Sequence, residues 1–139
     1  MIAHRRVNFL AVLAIAFLAV GCERLDYTQY VVSNASLADQ AIIKKTVQSA
    51  ATEAGLVDKT EASIIPATIA FYVQPVPHFP LSLGARMVGD SAVIDLACFH
   101  PGFFLKDSVF EAAEIRLTTE LSNNFGTRLT LPDIKHRVP

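Results

Sequence analysis

The segment on either side of Gly89-Asp90 constrains the fold of this chain more than any other. Two β-prone runs, Leu81–Val88 and Ser91–Phe99, are separated by these two residues alone, and Gly89 suits the positive φ of a tight hairpin turn. A two-residue turn fixes every opposed pair along both strands. One face of the hairpin then carries apolar side chains only, and these are Leu81, Leu83, Ala85 and Met87 opposite Cys98, Leu96, Ile94 and Ala92. Because a slip of one residue would destroy this separation, the sequence predicts both the hairpin and its register.

The other face of the hairpin is mixed in character. It carries serine, glycine, charged and small apolar residues, and it places Arg86 diagonally near Asp95. A sheet with one wholly apolar face needs a covering layer on that face, so we expect helices on one side of it.

Two segments have the signals of helices that would form this layer. The first has a capping signature at Ser36 and Asp39 and stops at Gly55. The second begins with another capping box at 108–111, with Asp107 beside it, and stops at 123–126. The apolar stripes at helical spacing are Ile43, Val47, Ala50 and Ala54 in the first helix and Phe110, Ala113, Leu117 and Leu121 in the second.

Three further β-prone segments complete the pattern. They are 28–32, Thr68–Val73 and Thr127–Leu131, the last of which is ended by Pro132. The resulting order is (β)-α-β-β-β-α-β. It predicts an α+β fold, a two-layer sandwich in which a mainly antiparallel sheet of about four to five strands carries two helices on one face.

The first 22 residues differ in character from the rest. His4, Arg5 and Arg6 form a positively charged start, and residues 7–20 are an apolar run with Asn8 as its one polar residue. A run of about 14 residues is shorter than the ~20 that a helix needs to cross the hydrocarbon core, so we expect an export signal rather than a membrane span. An ordinary secretory peptide cut nearby would leave Cys22 as a plain thiol.

The run ends in Leu18-Ala19-Val20-Gly21-Cys22, and this segment resembles the signal peptide of bacterial lipoproteins. The resemblance implies that Cys22 becomes the first residue of the mature protein, with a diacylglycerol on its sulfur and usually an acyl group on its amine. Two or more buried chains hold a protein stably on a membrane. By the same resemblance, Glu23 in the next position favours the outer membrane, with the domain facing the periplasm.

Removal of residues 1–21 would leave 118 residues, enough for one compact domain. The Lys and Arg count falls from 12 to 10 against 13 Asp and Glu, which gives a net charge near −3 and no basic cluster, so nucleic acid is a poor partner. The predicted organisation is a signal peptide at 1–21, a lipidated cysteine with a short tether or edge strand at 22–34, a single α+β domain at 35–132 and a polar tail at 133–139.

Two loops rich in proline and phenylalanine, 75–80 and 100–105, are predicted to emerge at one end of the hairpin because Leu81 lies opposite Cys98. Aromatic loops on a rigid scaffold are common partner sites, although the same side chains can instead close the core beneath the second helix. The candidate partner-binding residues are His78, Phe79, His100, Phe103 and Phe104.

The sequence contains few of the residue patterns that are typical of metal-binding or catalytic sites. Cys98 and His100 project from one face of a strand, with His78 in a neighbouring loop, but a zinc site needs three or four ligands and no fourth is evident. We therefore predict no metal and no cofactor, and a buried structural thiol at Cys98. There is no Gly-x-Ser-x-Gly motif and no glycine-rich phosphate loop. The carboxylates that recur on the second helix suit a solvated face, and they are Glu111, Glu114 and Glu120.

The sequence thus predicts a membrane-anchored periplasmic lipoprotein that has no catalytic activity and binds another envelope protein, as an accessory, an inhibitor or an immunity-type factor. Two alternatives stay open. One is a lipoprotein that binds a small molecule or metal through His78, Cys98 and His100. The other is a hydrolase whose site is assembled from residues distant in sequence.

Overall fold

The computed structural model describes residues 23–75, 81–101 and 108–132, and these form the α+β fold that the sequence predicts. The strands are β1 (Glu23–Val32), β2 (Val57–Asp58), β3 (Thr68–Val73), β4 (Leu81–Val88), β5 (Ser91–Pro101) and β6 (Leu129–Thr130), and the helices are α1 (Leu37–Glu53) and α2 (Ser108–Phe125). The strands form one antiparallel sheet in the order β2-β3-β4-β5-β1-β6.

The hairpin of β4 and β5 has the predicted register. Leu81 pairs with Cys98, Met87 pairs with Ala92, and Gly89 has a φ of +62° in the turn between the strands. A residue with a Cβ atom would be strained at this φ, so the glycine fixes where the chain reverses.

Alternation along the strands divides the sheet into two faces. The covered face packs against α1 and α2, and the open face has neither helix on it. The main core lies between the covered face and the helices, and Val93 is buried on the open face. Burial of a large apolar side chain contributes about 1.5–3 kcal/mol, so this layer is the main source of stability. Its largest fully buried side chains include Tyr30 from β1, Ile43 from α1, Leu83, Ile94 and Leu96 from the hairpin, and Leu117 and Leu121 from α2.

The strand β1 lies beside β5 in the sheet and is longer than the segment 28–32 that the sequence predicts. It pairs with β5 along its full length, from Glu23 opposite Pro101 to Val32 opposite Ala92. Residues 23–27, part of the predicted tether or edge strand, therefore lie in the sheet.

The start of α1 has the predicted capping box. The Ser36 hydroxyl accepts a hydrogen bond from the Asp39 backbone at 3.1 Å, and the Asp39 carboxylate accepts one from the Ser36 backbone at 2.8 Å. Both terminal nitrogens of Arg128 also donate to Asp39, at 2.9 and 3.1 Å. The hydrogen bonds from Arg128, followed by that from Ser36, hold the pKa of Asp39 well below its usual range.

The helix α2 is attached to β1 by polar contacts as well as by packing. The Tyr30 hydroxyl donates to the Glu114 carbonyl at 3.1 Å and forms a 2.8 Å hydrogen bond with the Thr118 hydroxyl. Thr28 donates to the Glu114 carboxylate at 2.6 Å. Glu114 is therefore half-buried against β1, and the expectation of a solvated face holds for the exposed Glu111 but not for Glu114. Burial raises the pKa of Tyr30 to about 12.

Within the described residues the sheet has six strands rather than four to five, because Val57 and Asp58 add the two-residue strand β2 beside β3. The last strand, β6, covers Leu129–Thr130 rather than Thr127–Leu131, since residues 126–128 form a 3₁₀ turn.

Pro132 explains why β6 ends so early. The Ser33 backbone donates to the Arg128 carbonyl, so every second residue of β1 from Ser33 directs its backbone groups toward β6. Continued pairing would place Pro132 opposite Gln29, where a backbone N–H is needed. Proline has none, so the ladder stops.

The helix α2 begins at Ser108. If Ser108 were the capping residue, the helix would begin at residue 109, so it starts one residue earlier than predicted. The residue in the capping position is then 107, which lies outside the described residues.

Candidate functional site on the open face

Four polar side chains meet at the centre of the open face, and we call Tyr27, Gln29, Arg86 and Asp95 the Asp95 cluster. The Tyr27 hydroxyl donates to Asp95 Oδ1 at 2.5 Å. Gln29 Nε2 donates to the same oxygen at 2.8 Å and to the Tyr27 hydroxyl at 2.8 Å. Arg86 Nη2 lies 3.8 Å from Asp95 Oδ2. One carboxylate thus organises three side chains from two neighbouring strands.

The sheet register brings these residues together. Asp95 on β5 lies opposite Gln29 on β1 and opposite Gly84 on β4. Tyr27 lies two residues before Gln29 and Arg86 lies two residues after Gly84, at the diagonal positions that long side chains can reach. The predicted diagonal contact between Arg86 and Asp95 is confirmed.

The tyrosine of the cluster is a fixed hydrogen-bond donor. Partial burial, followed by the hydrogen bond to Asp95 and the charge of that carboxylate, raises the pKa of Tyr27 to about 12. Ionised Tyr27 would place a second negative charge against Asp95. At neutral pH the phenol therefore stays protonated, and 42% of the Tyr27 surface remains exposed to solvent.

Arg86 has donor capacity that the rest of the described chain does not use. Its Nε atom is buried and has no hydrogen-bond partner among the described residues. The outer part of the side chain is accessible, with 40% of its surface exposed. A buried donor without a partner costs about 1–3 kcal/mol, so an acceptor that reached Nε itself would recover this free energy.

A cavity of about 200 Å³ lies next to the cluster. Phe71 lies opposite Gly84 in the register, and a Cβ atom on Gly84 would approach the Phe71 ring to 3.2 Å. The glycine therefore leaves room for the ring at this point of the sheet. The cavity is lined by hydroxyl, aromatic and charged side chains that include Ser63, Thr68, Phe71, Ser82, Arg86 and Asp95.

Most of the site residues predicted from the sequence lie outside the described residues. These are Cys22, His78, Phe79, Phe103 and Phe104. The backbone of His100 lies in β5 opposite Arg24, but its side chain is not described. The predicted positions of the two loops can be checked at their ends. Leu81 does lie opposite Cys98, so the segments before β4 and after β5 leave the sheet at the same end.

No contact among the described residues supports the alternative of a metal site. Cys98 is buried on the covered face, among the core side chains. Within 23–75, 81–101 and 108–132, no three His, Cys, Asp or Glu side chains are grouped closely enough to hold a metal ion.

Sequence reasoning missed Tyr27 and Gln29, because it left Tyr27 outside the predicted strand 28–32 and gave that strand, which contains Gln29, no partner in the sheet. One signal was present in the sequence, since residues 27–32 are rich in the tyrosine, threonine and valine that are common in strands. The pairing of that stretch with β5 is long-range, and no short-range pattern specifies it.

The comparisons with known proteins give no relative for this chain. No protein-family model matches it, and no curated protein or solved structure does. In the part of the chain that the structure describes, neither helix is long and apolar enough to cross a membrane.

Proposed function

We propose that this chain is a membrane-anchored periplasmic lipoprotein without catalytic activity, which binds another envelope protein through the open face of its sheet. The anchoring part of the proposal is supported by the basic start, the apolar run and Cys22 at its end. Glu23 after that cysteine favours the outer membrane in this proposal.

The Asp95 cluster with its adjoining cavity is the observation that carries the binding part. Tyrosine and arginine are enriched at the centres of protein interfaces, where they fill or line small pockets. Hydrogen bonds to Asp95 hold Tyr27 and Gln29 before any partner arrives, which lowers the ordering cost of binding.

The size of the cavity favours a protein partner over a small-molecule ligand. Small-molecule sites usually measure about 300–1,000 Å³ and enclose most of their ligand. The cavity beside Gly84 measures about 200 Å³ and is open on one side. That volume suits one inserted side chain of a partner whose surface rests on the open face, with an acceptor group directed at Arg86.

The anchoring part is tested by mass spectrometry of the N-terminal peptide of the purified full chain. We expect a diacylglyceryl group on Cys22, and retention of the protein in the membrane fraction until detergent is added. An unmodified peptide, or a soluble protein in the absence of detergent, would contradict this part.

The binding part is tested by photocrosslinking in cells that make the full chain. A benzophenone amino acid replaces Tyr27 on the open face or Lys45 on the exposed side of α1 as the matched control. We expect a discrete adduct with an exported envelope protein from position 27 that position 45 does not give, and its loss in the Arg86→Glu background. Adducts that are the same from both positions would count against the open face.

A further inference from the structure

One end of the sheet contains the start of β1, which directly follows Cys22 in the sequence, and we call it the anchor end. Glu23, the first residue of β1, lies there opposite Pro101, the last residue of β5. The start of β4 lies at the same end, because Leu81 is opposite Cys98. The other end of the hairpin, which we call the turn end, carries Gly89 and Asp90.

The anchor end has an exposed apolar pair on the open face. Leu25 and Phe99 lie directly opposite each other in the register. Leu25 is 45% exposed and Phe99 is 38% exposed. Neither side chain belongs to the buried core, which lies on the other side of the sheet.

The distance between the pair and the expected anchor is short. Cys22 precedes β1 by a single peptide bond, and one residue of extended chain spans at most ~3.6 Å. Leu25 lies two residues beyond Glu23, which adds about 7 Å along the strand. Interfacial segments bury their apolar side chains about 5–10 Å into the boundary between headgroups and acyl chains. A lipid on Cys22 would therefore hold Leu25 and Phe99 within reach of that boundary.

We propose that the anchor end of the sheet rests on the lipid leaflet, with Leu25 and Phe99 as its apolar contact. The proposal rests on the lipid anchor proposed above, and its occupant is the leaflet itself because no linker separates Cys22 from β1. The strands then point away from the membrane, and the turn end is the most distant part of the hairpin.

This orientation leaves the Asp95 cluster accessible from the side. Asp95 lies four residues from Phe99 along β5, about 13 Å further from the leaflet at strand spacing. A partner can then approach the cluster without displacing lipid. The membrane contact and the proposed protein contact therefore use different parts of the open face.

The chain offers a matched control at the turn end. Val88 is also an exposed apolar residue, with 51% of its surface accessible, and it lies on the open face opposite Ser91. Phe99 comes eight positions after Ser91 in β5, which is about 26 Å along the strand. The protein contains no tryptophan, so one introduced at either position is the sole indole in the chain.

The experiment compares three variants of the full lipid-modified chain, Leu25→Trp, Phe99→Trp and Val88→Trp, in phosphatidylcholine vesicles. The acyl chains of the lipid are either unlabelled or brominated, since bromine quenches indole fluorescence on contact. We expect brominated lipid to lower the emission of the Leu25→Trp and Phe99→Trp proteins roughly twofold or more, and to leave that of the Val88→Trp protein unchanged. Two reporters at the anchor end keep the test valid if one variant fails to fold.

The possible failures are distinguishable. Equal quenching at both ends, or none at either end in a protein that mass spectrometry shows to be lipidated and vesicle-bound, would overturn the orientation and leave the anchor intact. Blue-shifted emission without quenching at positions 25 and 99 would assign the pair to a protein contact, such as a second copy, and would also overturn it. An unmodified Cys22 and a protein that stays off the vesicles would remove the anchor and the orientation together.

Discussion

The covered face and the open face of the sheet are built from alternate residues of the same strands, and two tyrosines of β1 show how differently the faces are used. Tyr30 is fully buried on the covered face, where it binds α2. Tyr27, three residues earlier, is 42% exposed on the open face and binds Asp95. The pKa of each tyrosine is raised to about 12, and burial is the largest cause in both cases. A strand can therefore carry the residues that stabilise the fold and the residues that recognise a partner without one set constraining the other.

Truncation of an apolar side chain gives the largest expected difference between the faces. We expect Leu96→Ala on the covered face to lower the free energy of unfolding by about 2–5 kcal/mol, because it leaves a cavity beneath the helices. Val88→Ala on the open face is the control, and we expect a change within about 0.5 kcal/mol. Urea denaturation of both proteins measures this, and similar losses would show that the open face also carries core packing.

The same substitution at the two tyrosines of β1 sharpens the comparison. Tyr30→Phe removes hydrogen bonds to Thr118 and to the Glu114 carbonyl inside the protein, so we expect a loss of about 1–2 kcal/mol. Tyr27→Phe removes an exposed hydrogen bond to Asp95, to which Gln29 still donates, and we expect a loss below about 1 kcal/mol. Thermal unfolding followed by circular dichroism distinguishes them, and a larger loss at Tyr27 would reverse the roles of the faces.

The helix layer has an acid-sensitive contact at the start of α1. The pKa of Asp39 is lower in the folded protein than in the unfolded chain, so its ionised form stabilises the fold above about pH 4 and this contribution is lost as the pH falls below that value. We expect the free energy of unfolding to decrease between pH 5 and pH 3, values that bracket the ordinary pKa of about 4. Asp39→Asn should decrease less over the same interval, since Arg128 then faces a neutral side chain. Parallel pH profiles for the two proteins would exclude this contact as the cause.

The smallest expected effect on stability comes from narrowing the cavity on the open face. Gly84→Ala places a Cβ atom 3.2 Å from the Phe71 ring, and the ring must shift to make room. Because a glycine in a strand is also unfavourable, we expect the two effects to offset each other to within about 0.5 kcal/mol. The substitution should nevertheless weaken the crosslink formed from position 27. An unchanged crosslink yield would show that the cavity takes no part in binding.

The fold was more predictable from the sequence than the candidate site. The hairpin follows from strict alternation around Gly89, and the capping box at Ser36 and Asp39 is a local pattern of four residues. The cluster depends on pairing between β1 and β5, which are distant in sequence. Polar residues at buried positions of β1, Asp26 and Thr28, also hide the alternation that marks a half-buried strand.

The central claim, that recognition lies on the open face, is tested most directly by a matched pair of charge reversals. The envelope protein identified by crosslinking is titrated with the unmodified chain, Arg86→Glu and Lys45→Glu, and calorimetry gives the dissociation constants. We expect Arg86→Glu to weaken binding roughly thirtyfold or more, as at an interface hot spot, and Lys45→Glu to change it less than about threefold. An Arg86→Glu protein that remains folded and binds as tightly as the unmodified chain would contradict the account.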